Sequence, residues 1–204
     1  SLTVGAFADA YYMVDWNLPE IPVGAQAVGH RAYDAASGFN VAFAGLDLAY
    51  AGENVGATIQ LRYGQGADRL LIGTGFGGIS TTSNLKGYFG LKQAFVSWMP
   101  TEGLQIDLGQ FDTIYGAEVS ESYLNVNYSR SALYYLMQPF YHTGLRLTYA
   151  LSDTMTIKGI VVNGINNGIE NNFSPMVGAQ LVVAPSDTFQ LYAGYATGSS
   201  FGVG

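Results

Sequence analysis

The feature that most constrains this chain is the order of its short and long connections. Four connections between segments of alternating polarity are short, at 52–54, 100–103, 152–154 and 185–188. The connections between them are long, near residues 14–39, 64–88, 112–138 and 164–174. In an up-and-down sheet this order places every short turn at one edge and every long loop at the other. Bacterial transmembrane barrels have this arrangement, so the spacing favours a barrel over a soluble β-sandwich.

Nine segments have the period of two that a strand with one wet and one apolar face requires. We expect strands at about 2–12, 40–51, 55–63, 91–99, 104–111, 141–149, 155–163, 176–183 and 189–197. The third is the clearest, because apolar residues from Val55 to Tyr63 alternate with Gly, Thr, Gln and Arg. The predicted fold is all-β, a transmembrane antiparallel up-and-down β-barrel.

The strand count carries a further expectation. Nine is odd, whereas single-chain bacterial barrels normally close with an even number of strands. Residues 200–204 have the composition of a loop. We therefore expect residues 1–204 to form a single β-barrel domain that is incomplete at its C-terminal end, and the nine strands to be part of a larger even-stranded barrel.

Composition agrees with a membrane barrel and excludes other classes. Hydrophobic residues make up 49% of the chain and charged residues only 11%, against about a quarter charged in ordinary soluble domains. No run of ~18 apolar residues is present to form a spanning helix. The net charge of −7 argues against a nucleic-acid partner. The absence of cysteine excludes disulfides and thiol catalysis, and no motif indicates a cofactor or a metal.

Several segments resemble the OmpL-like β-barrel porin family of bacterial outer membranes. They include Asp-x-Tyr-Tyr at 9–12 in the segment 4–12, the hairpin pieces 46–50, 55–57 and 60–64, and the ordered series 110–111, 115–118, 127–131, 144–147 and 162–164. The resemblance covers the whole chain. It implies a barrel of porin-like character in the bacterial outer membrane and supplies no substrate.

Polar side chains on the alternate face of the strands are the candidate pore-lining residues. They are Asp9, Asp47, Gln60, Arg62, Gln93, Asp107, Arg146, Lys158 and Gln190. Water in a lumen hydrates such charges, whereas on the lipid face each would cost a few kcal/mol. Facing acidic and basic residues would filter ions by charge. The alternative is that the same residues form ion pairs that hold the wall together.

The longest polar connection, 112–138, is expected to fold inward as a constriction. Arg130 would then line and narrow the pore and attract anions, and Glu118 and Glu121 could oppose it. The alternative is a loop that is simply exposed outside the cell.

Aromatic residues recur at both ends of the strands. Tyr50, Trp98, Tyr149 and Phe189 lie near short turns, and Tyr63, Tyr141 and Tyr195 lie at the opposite ends. Two such rings about one strand length apart match the two interfaces of a bilayer, so we expect membrane girdles. The alternative is that they are ordinary strand aromatics.

These patterns predict a porin-like channel in a Gram-negative outer membrane, for passive diffusion of small hydrophilic solutes or ions. The alternative is a structural or anchoring barrel of a larger envelope assembly without transport. Expected partners are outer-membrane lipid, the solutes, and a second copy or another envelope protein. An enzyme is not expected: His142 with Ser129 or Ser131 is the only candidate catalytic set, and no nucleophile elbow is present.

Overall fold

The computed structural model describes residues 1–14, 16, 38–64, 66–67, 90–170 and 173–198. Within them lie nine strands: β1 (Leu2–Met13), β2 (Gly38–Ala51), β3 (Val55–Tyr63), β4 (Leu91–Thr101), β5 (Leu104–Asp112), β6 (Tyr141–Ser152), β7 (Met155–Val162), β8 (Met176–Ser186) and β9 (Phe189–Thr197). A 3-10 turn (Ser122–Leu124) and the helix α1 (Ala132–Leu136) lie between β5 and β6. None of the helices described here is both long enough and apolar enough to cross a membrane.

The strands form one sheet in which each strand pairs antiparallel with the next along the chain, in the order β1 to β9. The predicted all-β, up-and-down architecture is therefore confirmed. In the described part of the chain β1 and β9 are the two edges, so the sheet is not closed. The four short connections all lie at one end of the strands, and the β5–β6 and β7–β8 loops lie at the opposite end. The other two expected long connections, 14–39 and 64–88, lie mostly outside the described residues.

Three strands run further into the short turns than expected. β4, β6 and β8 continue to Thr101, Ser152 and Ser186, where they pair with the first residues of β5, β7 and β9. Only two residues remain in each turn, the length that antiparallel hairpins favour. Pro100 and Pro185 thus lie within strands, at the register shifts between Trp98 and Thr101 and between Val183 and Ser186. A register shift suits proline, because proline has no backbone N–H to donate to the hydrogen-bond ladder between strands.

The two faces of the sheet differ sharply in chemistry. Large apolar side chains stay exposed on one face, among them Val96 (57%) and Leu108 (59%). We term this the apolar face. Charged and amide side chains occupy the other, the polar face, where Arg62 and Asp107 are almost fully buried. A contiguous apolar face of this kind is an interaction surface and not one suited to water.

Candidate functional site

The β5–β6 loop, residues 113–140, lies over the polar face of the sheet. Its Glu121 side chain is fully buried and touches cations of two strands. Carboxylates are almost never fully buried unless they are paired. The position of Glu121 therefore shows that this loop is held against the strands.

Five charged residues form the contact, and we term them the ionic latch: Asp47, Arg62, Lys92, Asp112 and Glu121. Glu121 Oε1 accepts from Arg62 Nε at 2.7 Å, and Lys92 Nζ lies 2.6 Å from Glu121 Oε2. Each of the two cations also pairs with a second carboxylate, on a neighbouring strand. Arg62 Nη1 pairs with Asp47 Oδ1 at 2.6 Å, and Lys92 Nζ pairs with Asp112 Oδ2 at 2.9 Å. The latch thus ties β2, β3, β4, β5 and the loop into one ionic chain.

A second charge pair lies nearer the short turns. Arg146 Nε donates to Asp107 Oδ2 at 2.8 Å, and Asp107 Oδ1 accepts from Ser97 Oγ at 2.6 Å. The Arg146 guanidinium also stacks on the Phe111 ring at 4.6 Å. The hydrogen-bonded Asp107 carboxylate and the cation–π contact with Phe111 together hold the Arg146 side chain in one orientation.

Two small apolar clusters support the loop beside the latch. In one, Tyr134 of α1 packs with Ala42, Phe43 and Ala67. In the other, Ile114 of the loop packs with buried residues of the strands, Phe111, Ile160, Val162 and Met176. Burial of a large side chain contributes about 1.5–3 kcal/mol. The loop is therefore held by apolar packing as well as by charge.

Glycines make room for the loop on the polar face. The Tyr115 ring lies over β8 and β9, and its hydroxyl donates to the Tyr195 carbonyl at 3.1 Å. A Cβ at Gly194 would lie 2.9 Å from Tyr115 Cε1, and one at Gly178 would overlap the Tyr115 hydroxyl. Any larger residue at these two positions would push Tyr115 away from the sheet.

Arg130 lies inside the loop, with 6% of its surface exposed. Its Nη1 donates to Ser122 Oγ at 2.8 Å and to the Tyr128 carbonyl at 3.2 Å, and its guanidinium faces the Tyr134 ring. Arg130 thus braces the loop internally. That it lines a pore stays a prediction, and its small exposed area leaves it little surface to contribute.

The two loop glutamates have different roles. Glu121 is the centre of the latch, whereas Glu118 accepts hydrogen bonds from the Ser131 backbone N–H at 2.8 Å and from the Ser131 hydroxyl. Ser131 is in turn the N-cap of α1. That either glutamate opposes the charge of Arg130 stays a prediction.

The candidate pore-lining residues share the polar face but are not equally connected. Asp47, Arg62, Asp107 and Arg146 are paired as described, and Gln93 Nε2 donates to Gln60 Oε1 at 2.6 Å. Asp9 accepts from the Tyr128 hydroxyl at 3.1 Å. Gln190, on β9, accepts from the hydroxyl of Tyr192. Lys158 makes neither an ion pair nor a hydrogen bond within the described residues.

Sequence reasoning missed Lys92 because of a bulge. Alternation from Gln93 to Ser97 assigns Lys92 to the apolar face. The register shifts there, with Gln60 opposite Gln93 and Leu61 opposite Leu91, so Lys92 is the extra residue. A bulge re-aims a side chain, and this one directs Lys92 to Glu121. A single lysine at a position that alternation assigns to the lipid-facing side would have been the available signal.

Two groups that follow β5 and β7 in the chain, the Thr113 hydroxyl and the Gly164 carbonyl, hold the His142 ring in place. Its Nδ1 lies 2.9 Å from the Gly164 carbonyl, which can only accept, so Nδ1 carries the proton and Nε2 accepts from the Thr113 hydroxyl at 3.0 Å. Ser131 is bonded to Glu118. Among the described residues no group of three or more His, Asp or Glu side chains could hold a metal ion.

Burial and charge act in opposite directions on Glu121. Burial alone raises the pKa of this carboxyl group, but the charges and hydrogen bonds of Lys92 and Arg62 outweigh it. The pKa of Glu121 is therefore lower than its ordinary value of 4.5. The ionised form is the one that holds the latch.

A nine-stranded antiparallel sheet with one apolar face, one charged face and a loop held on the charged face is the architecture of a porin-type barrel wall. A family model described as "Putative beta-barrel porin-2, OmpL-like" matches residues 1–201. The chain belongs to this family of OmpL-like β-barrel porins. No curated protein matches the chain.

Replacing Glu121 with glutamine tests the latch. Glu121→Gln leaves Arg62 and Lys92 buried without their shared anion, and loss of one partner of a buried pair costs about 3–5 kcal/mol. We expect the loop to detach, which exposes the Arg130–Ser131 bond to trypsin. Cleavage after Arg130 should be at least tenfold faster than in the wild type, measured by mass spectrometry of the folded protein in detergent. Glu102→Gln, at an exposed turn, is the matched control, and equal cleavage in all three proteins would contradict the latch.

The lowered pKa of Glu121 makes the latch sensitive to acid. A carboxylate with a depressed pKa contributes its full stability above the unfolded value, here 4.5, and loses it as the pH falls through the lowered pKa. Hydrogen exchange of the 119–131 amides, corrected for intrinsic rates, should therefore accelerate progressively below pH 4.5 in the wild type. The Glu121→Gln variant should exchange fast at every pH. A flat wild-type profile down to pH 2 would contradict the assignment.

Proposed function

We propose that this protein is a pore in a bacterial outer membrane, through which small hydrophilic solutes or ions diffuse passively. The single observation that supports this most is the division of one sheet into an apolar face and a charged face. An apolar face suits lipid and a charged face suits a water-filled lumen. Membership of a porin-like family agrees with the same assignment.

The β5–β6 loop is the constriction of the proposed pore. A loop that is held on the polar face by the ionic latch occupies space that would otherwise be lumen. Asp47 and Asp112 are each about one-third exposed, so they present charge to water beside the loop. Selectivity would then depend on these carboxylates and on the width that the loop leaves open.

The edges of the sheet need partners in a membrane. An unpaired strand edge leaves backbone N–H and C=O groups unsatisfied, which lipid does not tolerate. We propose that β1 and β9 pair with further strands and that the closed barrel has an even number of strands. The aromatic residues near the strand ends, including Trp98 and Tyr149, would lie at the two membrane interfaces.

The second candidate function is a structural barrel without transport. The observation that favours it is the same loop, because a loop held by buried charges and apolar packing can also close a lumen. No catalytic role is proposed, since His142 and Ser131 are both bonded to other groups.

Single-channel recording in a planar bilayer distinguishes the two functions. We expect the mature wild-type protein to give steady current steps with a non-zero reversal potential in asymmetric salt. Glu121→Gln should give larger steps, because a detached loop widens the lumen, while Glu102→Gln should match the wild type. A silent wild type with a conducting Glu121→Gln would identify a closed, structural barrel. Silence of both folded proteins would contradict a pore altogether.

A further inference from the structure

The tip of the β5–β6 loop, residues 122–130, lies over β1. The Tyr123 ring packs against the Phe7 ring with 5.0 Å between centroids, and the Tyr128 ring packs against the Tyr11 ring at 5.9 Å. Side chains alternate along a strand, so Phe7, Asp9 and Tyr11 are neighbours on the polar face. Two pairs of rings therefore flank Asp9, and we term these five residues the aromatic–acidic patch.

The loop side of this patch is open to solvent and carries no exposed charge. Tyr123 is 55% exposed and Tyr128 is 39% exposed. The charged residues within 119–138 are Glu121 and Arg130, and both are buried. The loop thus presents aromatic surface without charge to the proposed lumen. Exposed apolar surface of this kind marks a site of interaction.

The strand side of the patch is acidic. The Asp9 carboxylate has no ion pair within the described residues, and its Oδ1 accepts from the Tyr128 hydroxyl at 3.1 Å. The neighbouring ionic latch contains three carboxylates against two cations. Its Asp47, which lies opposite Gly5 of β1, is about one-third exposed, whereas its Arg62 is buried. The exposed charge beside the rings is therefore negative and attracts cations.

The Asp9 carboxylate offers a ligand little oxygen to bind directly. One oxygen is bonded to the Tyr128 hydroxyl, and the other is buried. Asp9 therefore acts on a ligand through its charge and not through a hydrogen bond. A primary ammonium group or a metal ion would lose hydrating water there without gaining oxygen ligands. A quaternary ammonium group has no N–H to satisfy, and aromatic faces bind it through cation–π contact.

Tyr128 is the ring best placed for such a cation. Its hydroxyl donates to Asp9, so the ring and the carboxylate are adjacent, and the ring is partly exposed. The Phe7 ring, by contrast, already has the Arg62 guanidinium 4.8 Å from its centroid.

We propose that the aromatic–acidic patch binds small quaternary ammonium compounds, with the ammonium group against the Tyr128 ring and Asp9 as its counter-charge. The inference rests on the proposed function, because it names a class of solute that would be recognised at the constriction of the pore.

Saturation-transfer NMR of the folded protein with choline tests the site without requiring a pore. The detergent is a maltoside, because maltosides carry no ammonium group that could compete. We expect saturable binding of choline to the wild type. The neutral carbon analogue dimethylbutanol lacks the charge, and ethanolamine has a primary ammonium group. Each should bind at least about fivefold more weakly than choline.

Two substitutions separate the charge from the ring. Asp9→Asn removes the charge and keeps an oxygen for the Tyr128 hydroxyl, and Tyr128→Leu removes the ring and keeps apolar bulk. Each should weaken choline binding at least about threefold. Tyr128→Phe keeps a ring and should bind choline more tightly than Tyr128→Leu. Asp187→Asn, at an exposed turn, and Tyr192→Leu, on the polar face of β9, make the same changes elsewhere and should bind like the wild type.

Each other outcome overturns part of the inference in a defined way. Absence of saturable choline binding to the wild type, or equal binding to Asp9→Asn, would overturn the site. Equal binding of dimethylbutanol would overturn recognition of charge. Equal binding of ethanolamine, or equal binding of choline to Tyr128→Leu, would overturn recognition by the ring. Asp9-dependent binding to a protein that is silent in bilayers would remove the pore and leave the site. Conduction without choline binding would remove the site and leave the pore.

Discussion

The Glu121 carboxylate, held between Arg62 and Lys92, is the interaction on which the rest of the polar face depends. Each cation also has a carboxylate of its own, Asp47 for Arg62 and Asp112 for Lys92. Only Glu121 contacts both cations and so offsets the repulsion between them in a poorly hydrated site. Glu121 supplies this shared anion from a loop and not from a strand. The arrangement of the strands and the position of the loop are therefore linked through one carboxyl group.

The polar face is built to receive a loop and is not simply a row of charges. Glycines at 178 and 194 leave space for Tyr115, and two apolar clusters secure Ile114 and Tyr134 on either side of the latch. In the middle of β7, the same face leaves Lys158 without an ion pair among the described residues. The face thus combines a neutralised region, which fixes the loop, with a region where one lysine lacks a counter-ion. Such a division suits a wall that holds a constriction and also contacts solute.

Much of the fold could be predicted from the sequence because a strand between lipid and water imposes a strict period of two. All nine strands were found, and the residues of β3 were assigned to the correct faces. The predicted strand ends were less accurate. Pairing across two-residue turns extends β4, β6 and β8 beyond the residues where the alternation of polar and apolar side chains stops. The site was predictable only in part. Lys92 depends on a bulge that alternation cannot reveal, and the roles of Glu121 and Arg130 depend on loop contacts between residues distant in sequence.

The proposed function requires one face of this sheet to border water and the other face to border lipid. The 204 residues contain no cysteine, so introduced thiols report on single positions. Thr58→Cys and Thr148→Cys place a thiol on the polar face, and the neighbouring Ile59→Cys and Leu147→Cys place one on the apolar face. In lipid vesicles, a charged water-soluble thiol reagent should modify the first pair and leave the second pair unmodified. Equal modification of both pairs, or modification of the apolar-face pair alone, would contradict this placement of the two faces.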